Sequence, residues 1–469
     1  MEVEGGDRKS LPERKQASYR SFDDHFVIRN EKYKGQQYSQ IYFMRLHNMR
    51  SLMYSLVPKW KPNVPVCTVL GLEEGKECVI VGTIYKHMKL KPSILDEYSK
   101  ERSVIPLVKP HNFVHPDDHL ILEDESGRVK LAGSMLAPSG FVTGIVMALH
   151  GKETSDGAFF VQDVLVADLP PQVQRPLSSE DKYVVFISGL TVGGSSFNPL
   201  QFQLLVDHIS GHLGMTRCAL CLLPPLNMAT TFTLDRRTEQ HMASRIVRVV
   251  IAGNSVEVPR GVLTGQVVAP KEQSRVFEPI KELDMSLTQL RDSVLCSLQH
   301  QYCGYHAGAN DPANFSLPQQ PLNRCLFPGA SLYNTFTSCT NPHIFELDGT
   351  SSKHTSGQNI DDLDKYSDAK DRLEFLERTL RWRHLAPTAP NTLGCYPFTD
   401  RDPFLIESCP HVYFCGNQDK YETQVIEGSE GQLVRLICIP RFCETGTAIV
   451  LNIRTLGCHT LCLSTNFDL

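Results

Sequence analysis

The period of apolar and polar positions changes twice along the chain, and each change marks a different architecture. Within 36–57, Tyr42, Leu46, Met49, Met53 and Leu56 recur at steps of four, three, four and three, which predicts an N-terminal amphipathic helix over 36–60 that Pro58 ends. From Glu77 to Leu169 the period shortens. CVIVGTIYK (78–86), HLILEDESGRVKLAG (119–133) with a turn at Ser126-Gly127, FVTGIVMALHG (141–151) and GAFFVQDVLVADL (157–169) give about five short strands. With glycines at 82 and 144 inside them, the strands suit a small closed barrel of the OB type over 61–175. A proline-bearing linker, Pro170-Pro171 to Pro176, separates this all-β part from a region of alternating strand and helix over 180–460.

That second region is α/β in pattern. YVVFISGLTVGG (183–194) reads as a buried strand emptying into a glycine loop. A helix follows, with Asn198 as N-cap, Pro199 at its first position, Leu200, Leu204, Leu205 and Ile209 on one face, and Gly211 or Gly214 to stop it. RIVRVVIAGNSVE (245–257) is a second buried strand, after an interruption at about 214–244 that reads as an irregular insertion. Ile280, Leu283, Leu287, Leu290, Val294 and Leu298 stripe a long helix. Leu373, Leu376 and Leu380 stripe another from about Asp368 to His384, with Asp371 in its first turn. HVYFCGN (411–417) is a third strand ending in glycine, and LVRLICIP (433–440) and TAIVLNIRTL (447–456) close the pattern. Such alternation predicts a layered sheet with helices on its faces, whose chemistry gathers at the carboxyl ends of the strands.

Composition narrows the partners. The 469 residues carry 47 Lys plus Arg against 52 Asp plus Glu, net charge -5, so no general attraction to nucleic acid or an anionic membrane is implied. Fifteen scattered cysteines and no signal-peptide pattern fit a reducing, intracellular compartment, and no apolar run approaches the ~20 residues of a membrane span. Met1 to Arg20 is polar and nearly aromatic-free, which predicts a disordered tail extending over 1–35.

The candidate chemistry is sparse. The loop at 188–194 holds neither carboxylate nor histidine, and Cys218-x-x-Cys221 has no second pair at zinc-site spacing. Tyr85, Lys86, Lys89 and Lys91 could face single-stranded nucleic acid from the barrel, but Asp117, Asp118, Glu123, Asp124 and Glu125 oppose them, which favours a structural, protein-contacting barrel. His208, His212, His306 and His354 lie near the glycine loops and are an alternative metal set.

ISGLTVGG, IAGNSVE, GANDPAN with PQQP, SGQNIDDL and VYFCGN, in that order, resemble the loops of calcineurin-like metallophosphoesterases. The resemblance implies an α/β sandwich whose metal ligands are lost: the family's ligand positions fall on Gly189, Thr191, Asn254, Glu257, Ala309, Asn310, Asp311, Ser356 and Asn417. A two-metal site needs bridging carboxylate and imidazole, which these residues, Asp311 and Glu257 apart, cannot supply. An OB-type barrel before such a domain, with YSQIYFMRLHNMR (38–50), KPSILDEYS (91–99), HPDDHLILEDE (115–125), SLPQQPLNRCLFP (316–328), HLAPTAPNTLGCYPF (384–398) and CPHVYFCGN (409–417), is similar to the B (second) subunit family of eukaryotic replicative DNA polymerases. That resemblance implies a nuclear, non-catalytic scaffold without cofactor. It would hold the cysteine-rich C-terminal domain of the polymerase's catalytic subunit and, on another face, the third subunit, meeting DNA only indirectly and no membrane. An active metal-dependent phosphoesterase and an OB-type single-stranded DNA binder are the competing expectations.

Overall fold

The structure is a computed structural model that describes residues 14–29, 35–92, 111–176, 178–212, 236–257, 270–292, 302–306 and 308–463. Its first element is a short strand, β1 (Tyr19–Ser21), followed by the helix α1 (Tyr38–Trp60). The OB domain is then built from β2 (Val66–Cys67), β3 (Glu77–His87), β4 (His119–Glu123), β5 (Arg128–Ala132), β6 (Val146–Glu153) and β7 (Ala158–Leu165). They pair in the order β2-β3-β4-β5-β7-β6, and the long β3 also pairs along its first half with β6. The expected closed barrel is corrected to the partly open form, because β5 and β7 meet through only the three parallel pairs Lys130–Ala132 with Ala158–Phe160. Gly82 sits where β3 turns from one partner to the other, and a Cβ there would stand 2.5 Å from the Glu123 carbonyl oxygen.

The α/β domain contains β8 (Tyr183–Ile187), α2 (Pro199–Ser210), α3 (Arg236–Ala243), β9 (Ile246–Ala252), α4 (Pro270–Asp292), β10 (Tyr302–His306), β11 (Phe336–Cys339), β12 (His343–Leu347) and β13 (Thr350–Thr355). α5 (Gln358–Tyr366), α6 (Arg372–Arg381), β14 (Val412–Gln418), β15 (Glu422–Glu427), β16 (Leu433–Pro440), α7 (Phe442–Thr445), β17 (Thr447–Asn452) and β18 (Cys458–Cys462) complete it. One sheet runs β11-β10-β9-β8-β17-β18 and the other β1-β12-β13-β14-β16-β15. The pairs β8–β9, β9–β10 and β10–β11 are parallel in the first sheet, as are β13–β14 and β14–β16 in the second.

The near-continuous apolar runs of β8 and β9 are explained by burial on both faces. Val184, Phe186, Val250 and Ala252 meet Phe345, Val412, Phe414 and Ile437 between the two sheets, where the Phe186 and Phe414 rings lie 4.3 Å apart. Val185, Ile187, Val249 and Ile251 pack outward on Leu205 and Ile209 of α2 and Leu283 and Leu287 of α4. On the far side, Tyr413, Leu436 and Cys438 pack under Ile360, Leu376 and Leu380 of α5 and α6. The same apolar cluster continues into the OB interior through Ile84, Leu122, Met147 and Phe159. The two domains therefore share a core.

Several local expectations need correction. Residues 14–29 are not a free tail: β1 pairs antiparallel with β12, Phe26 is fully buried, and Arg14 donates to the carbonyls of Ile246 and Ile209. Residues 1–13 and 30–34 lie outside the described residues, as does most of the 214–244 insertion with Cys218 and Cys221. α1 runs past Pro58 to Trp60, which is possible because a proline so near the C-terminus sacrifices little of the ladder. The buried edge of α1 is Ile41, Arg45, Met49, Met53 and Val57, a phase that an arginine disguises in sequence. Arg45 is buried because its guanidinium ties α1 to the α/β domain. It donates to Asp402 Oδ2 (2.7 Å) and to the carbonyls of Gly144 (3.1 Å), Pro387 (2.9 Å) and Ala389 (2.7 Å). In α2, Leu200 is exposed and Phe202 and Val206 take its place in the core, while Asn198 does cap the helix by accepting from Leu200 N and Gln201 N. Val294 and Leu298 lie outside the described residues.

Candidate functional site

The carboxyl ends of β8, β9, β10, β13 and β14 bring the glycine loops to one place. Gly189 N–H donates to the Gly253 carbonyl (3.0 Å), Thr191 N–H to that of Asn254 (3.0 Å) and Val192 N–H to that of Ser255 (2.8 Å), which zips the first two loops together. Asn417 joins the two sheets at this point: its Nδ2 donates to the carbonyls of Ala252 (3.1 Å) and Ser356 (2.8 Å), and its N–H to Ser188 Oγ (2.9 Å). The backbones approach so closely that a Cβ on Gly416 would lie 2.4 Å from the Ala252 carbonyl oxygen, and one on Gly253 would lie 2.7 Å from Ser356 Cβ. Glycine is required here by contact, not by flexibility alone.

Asp311 is 1% exposed, and hydrogen bonds commit its carboxylate. Oδ1 accepts from Ser255 N (2.9 Å) and Val256 N (3.1 Å), and Oδ2 from Gly308 N (2.7 Å). It thereby fixes the second loop to the third, a short acidic side chain serving loop amides. Asn254 Oδ1 accepts from Asn310 N (3.2 Å), and Ala309 and Asn310 are exposed. Glu257 is exposed at the rim, its carboxylate over Gly194. Ser356 is held by Asn341, which donates from Nδ2 to Ser356 Oγ (2.7 Å), Gln319 Oε1 (2.8 Å) and Gln358 Oε1 (3.0 Å) and accepts the Ser356 N–H at Oδ1 (3.0 Å). Gln319 Nε2 in turn donates to the Gly308 carbonyl (2.9 Å). Asn341 and Gln319 are the loop-positioning residues that sequence reasoning missed; the polar residue beside each proline is the signal that could have found them.

The residues gathered here do not fit a pair of divalent ions. Gly189, Thr191, Asn254, Ser356 and Asn417 contribute no charge, and Asp311 is engaged by three amides. Four of these positions nevertheless hold left-handed backbone, Gly189 at φ 62°, Thr191 at 49°, Asn254 at 52° and Asn417 at 59°. Among the described residues, His208, His212 and His354 do not assemble either. His354 is buried against Phe414, its ring stacked at 4.2 Å, while His208 sits on α2 with burial pushing its pKa down to about 4. The side chain of His306 lies outside the described residues.

The barrel lysines are spent within the chain. Lys86 is 2% exposed and donates to the Tyr366 carbonyl (2.8 Å), Lys89 pairs with Asp117 (2.6 Å), and Lys91 donates to Asn391 Oδ1 (2.5 Å). Burial pulls the Lys86 ammonium down to about 8 against the attraction of Asp118. A groove of about 450 Å³ does lie between α1 and the β3–β4 face, lined by Tyr42, Phe43, Tyr85, Glu123, Asp124 and Glu125 among others. Its arginines are paired, Arg50 with Glu125 and Arg128 with Glu123, so among the described residues it offers phosphate no arginine or lysine of its own that is unpaired.

Residues 37–164 match the family model described as the DNA polymerase delta subunit OB-fold domain, and residues 184–424 match that of the B subunit of DNA polymerases alpha and epsilon. The chain is 65% identical to the DNA polymerase delta small subunit of Arabidopsis thaliana, covering 98% of this chain and 99% of that protein. It is 33% identical to DNA polymerase delta subunit 2 of Drosophila melanogaster (98% and 100% covered) and 30% identical to the DNA polymerase delta small subunit of Saccharomyces cerevisiae (91% and 89%).

Proposed function

Because this chain belongs to the B-subunit family of DNA polymerases, with delta small subunits among its relatives, we propose that it is the non-catalytic accessory subunit of DNA polymerase delta. On this reading it acts in the nucleus, in replication and repair synthesis. It holds the cysteine-rich C-terminal domain of the catalytic subunit of DNA polymerase delta on one face and the third polymerase delta subunit on another, and meets DNA only through the complex. Its α/β domain is a calcineurin-like phosphoesterase fold emptied of its metal ligands.

The observation that carries this reading is the set of loops that closes over Asp311 and Asn417. Left-handed residues persist at Gly189, Thr191, Asn254 and Asn417, the turn geometry that would present ligands. The side chains there are neutral, and the one buried carboxylate is turned onto backbone amides. A large fold whose catalytic end is rebuilt as packing has its surfaces left to serve as function. The test is hydrolysis of p-nitrophenyl phosphate and of its bis-ester by the purified chain under Mn²⁺ titration. No turnover above the metal-only blank is expected. Stoichiometric Mn²⁺ binding with turnover that Asp311→Ala abolishes would replace the scaffold by an enzyme.

A further inference from the structure

Outside those loops, the described residues contain one place where three ligand types of borderline-soft metals converge: Asp23, Cys339 and His343, whose ligand atoms all lie within 4.8 Å of one another. They come from three parts of the fold. Asp23 is in the turn after β1, Cys339 ends β11 in one sheet, and His343 begins β12 in the other. Cys339 and His343 are 3% and 1% exposed, so no substrate reaches the thiol, while the Asp23 side chain at 13% leaves a path from solvent. His343 Nδ1 lies 2.5 Å from Asp23 Oδ2, Asp23 Oδ1 accepts the Ile344 N–H (3.0 Å), and the Tyr19 hydroxyl stands 3.3 Å from His343 Nε2.

We propose that Asp23, Cys339 and His343 form a structural divalent-metal site of the zinc class, which fastens the N-terminal strand to both sheets where the chain crosses between them. Thiolate, imidazole and carboxylate are the donors such an ion takes in tetrahedral geometry, and the fourth position falls to solvent entering beside Asp23, while the Tyr19 hydroxyl, on the Nε2 side of the ring, holds the imidazole in place. Ligands on bonds of ~2.0–2.1 Å stand ~3.3 Å apart at a tetrahedral ion. Metal entry therefore replaces the proton between His343 Nδ1 and Asp23 Oδ2, parts that pair by under ~1 Å, and displaces the thiol proton of Cys339; both protons leave to solvent.

The spacing of Cys339 and His343, three residues between them, also suits two ligands on a bend of the chain, here Thr340-Asn341-Pro342.

The experiment is a titration of the full-length chain, purified after chelation, with Co²⁺ as the probe. The expected result is a thiolate-to-cobalt charge-transfer band in the near ultraviolet with tetrahedral d–d absorption, saturating at one equivalent and erased by Zn²⁺. Cys339→Ser should remove the charge-transfer band, and His343→Gln should weaken binding at least tenfold. Because either variant could unfold, thermal unfolding of the wild-type chain with and without Zn²⁺ provides the second measure. The unfolding temperature should rise with Zn²⁺ in the wild type and should not in Cys339→Ser. Absence of a saturating band in the folded wild type, or a band that persists in folded Cys339→Ser, overturns the proposal.

Discussion

Asp311 shows how a residue type can be read correctly and its work misjudged. It keeps the acidic identity that the phosphoesterase resemblance picks out, but three backbone amides from two loops use the charge. Asp311→Asn preserves shape while turning an acceptor into a donor against one of those amides. The expected outcome is a loss of about 1–3 kcal/mol in urea unfolding, with hydrolysis expected at the blank for both the wild type and the variant. Arg45 makes the complementary point, since its partners Asp402 and the three carbonyls are 99 or more residues away in sequence and no local pattern announces them.

Around Arg45 the charge states predict an acid lability. His384 Nδ1 accepts from Ala386 N (3.1 Å) and its Nε2 faces Asp402 (2.8 Å), the pattern of a neutral imidazole; burial, and then Arg45, push it down to about 4 against the pull of Asp402. The unfolded chain takes up that proton near ~6.5. Below that pH the unfolded state binds a proton the folded state refuses, so stability falls as pH drops from about 6.5 towards 4. Asp402 acts in the same direction. Burial alone would raise its carboxyl, but Arg45 and then His384 hold it well below the usual range, so its contribution is also lost in acid. Urea midpoints measured from pH 7 to 4.5 should decline, and His384→Gln should flatten the upper part of that decline. A midpoint independent of pH in the wild type would contradict this.

At the scale of elements, the sequence was most legible where periodicity and caps agree. Asn198, Pro199 and Gly211 bracket α2 as their chemistry requires, whereas Asp371, expected inside the first turn of a helix from about Asp368, instead caps α6 at Arg372 by accepting from Glu374 N (2.9 Å). The glycine loops were also legible, because Gly416 and Gly253 stand where no side chain fits. What was hidden depended on partners far along the chain. α1 is phased by Ile41, Arg45 and Met49 because its neighbours are β3, β6 and the 387–402 segment. β1 is too short to signal itself and exists through β12. The 14–29 segment gives the clearest test at this scale. Phe26 is fully buried in the core shared by the OB and α/β domains, so Phe26→Ala should cost about 3–5 kcal/mol in chemical denaturation. A free tail predicts no change.

For the whole molecule, the shared core and the Arg45 staple make the OB and α/β domains one unit, which suits a rigid platform better than a pair of jointed modules. Its charge and the internal pairing of Lys86, Lys89 and Lys91 predict that the isolated chain binds single-stranded DNA no tighter than ~10⁻⁴ M at physiological salt. Fluorescence anisotropy with a labelled oligonucleotide checks this, and submicromolar binding that falls steeply with salt would return the barrel to the nucleic-acid readings.

The central claim is that this chain works by holding other polymerase subunits, and obligate interfaces of that kind bury upwards of ~2,000 Å². The most direct measurement is gel filtration with light scattering of the full chain coexpressed with the cysteine-rich C-terminal domain of the delta catalytic subunit. The account predicts one coeluting species of 1:1 mass, with more soluble chain recovered than when it is expressed alone. A soluble, monodisperse chain that elutes by itself in the presence of that domain would contradict it.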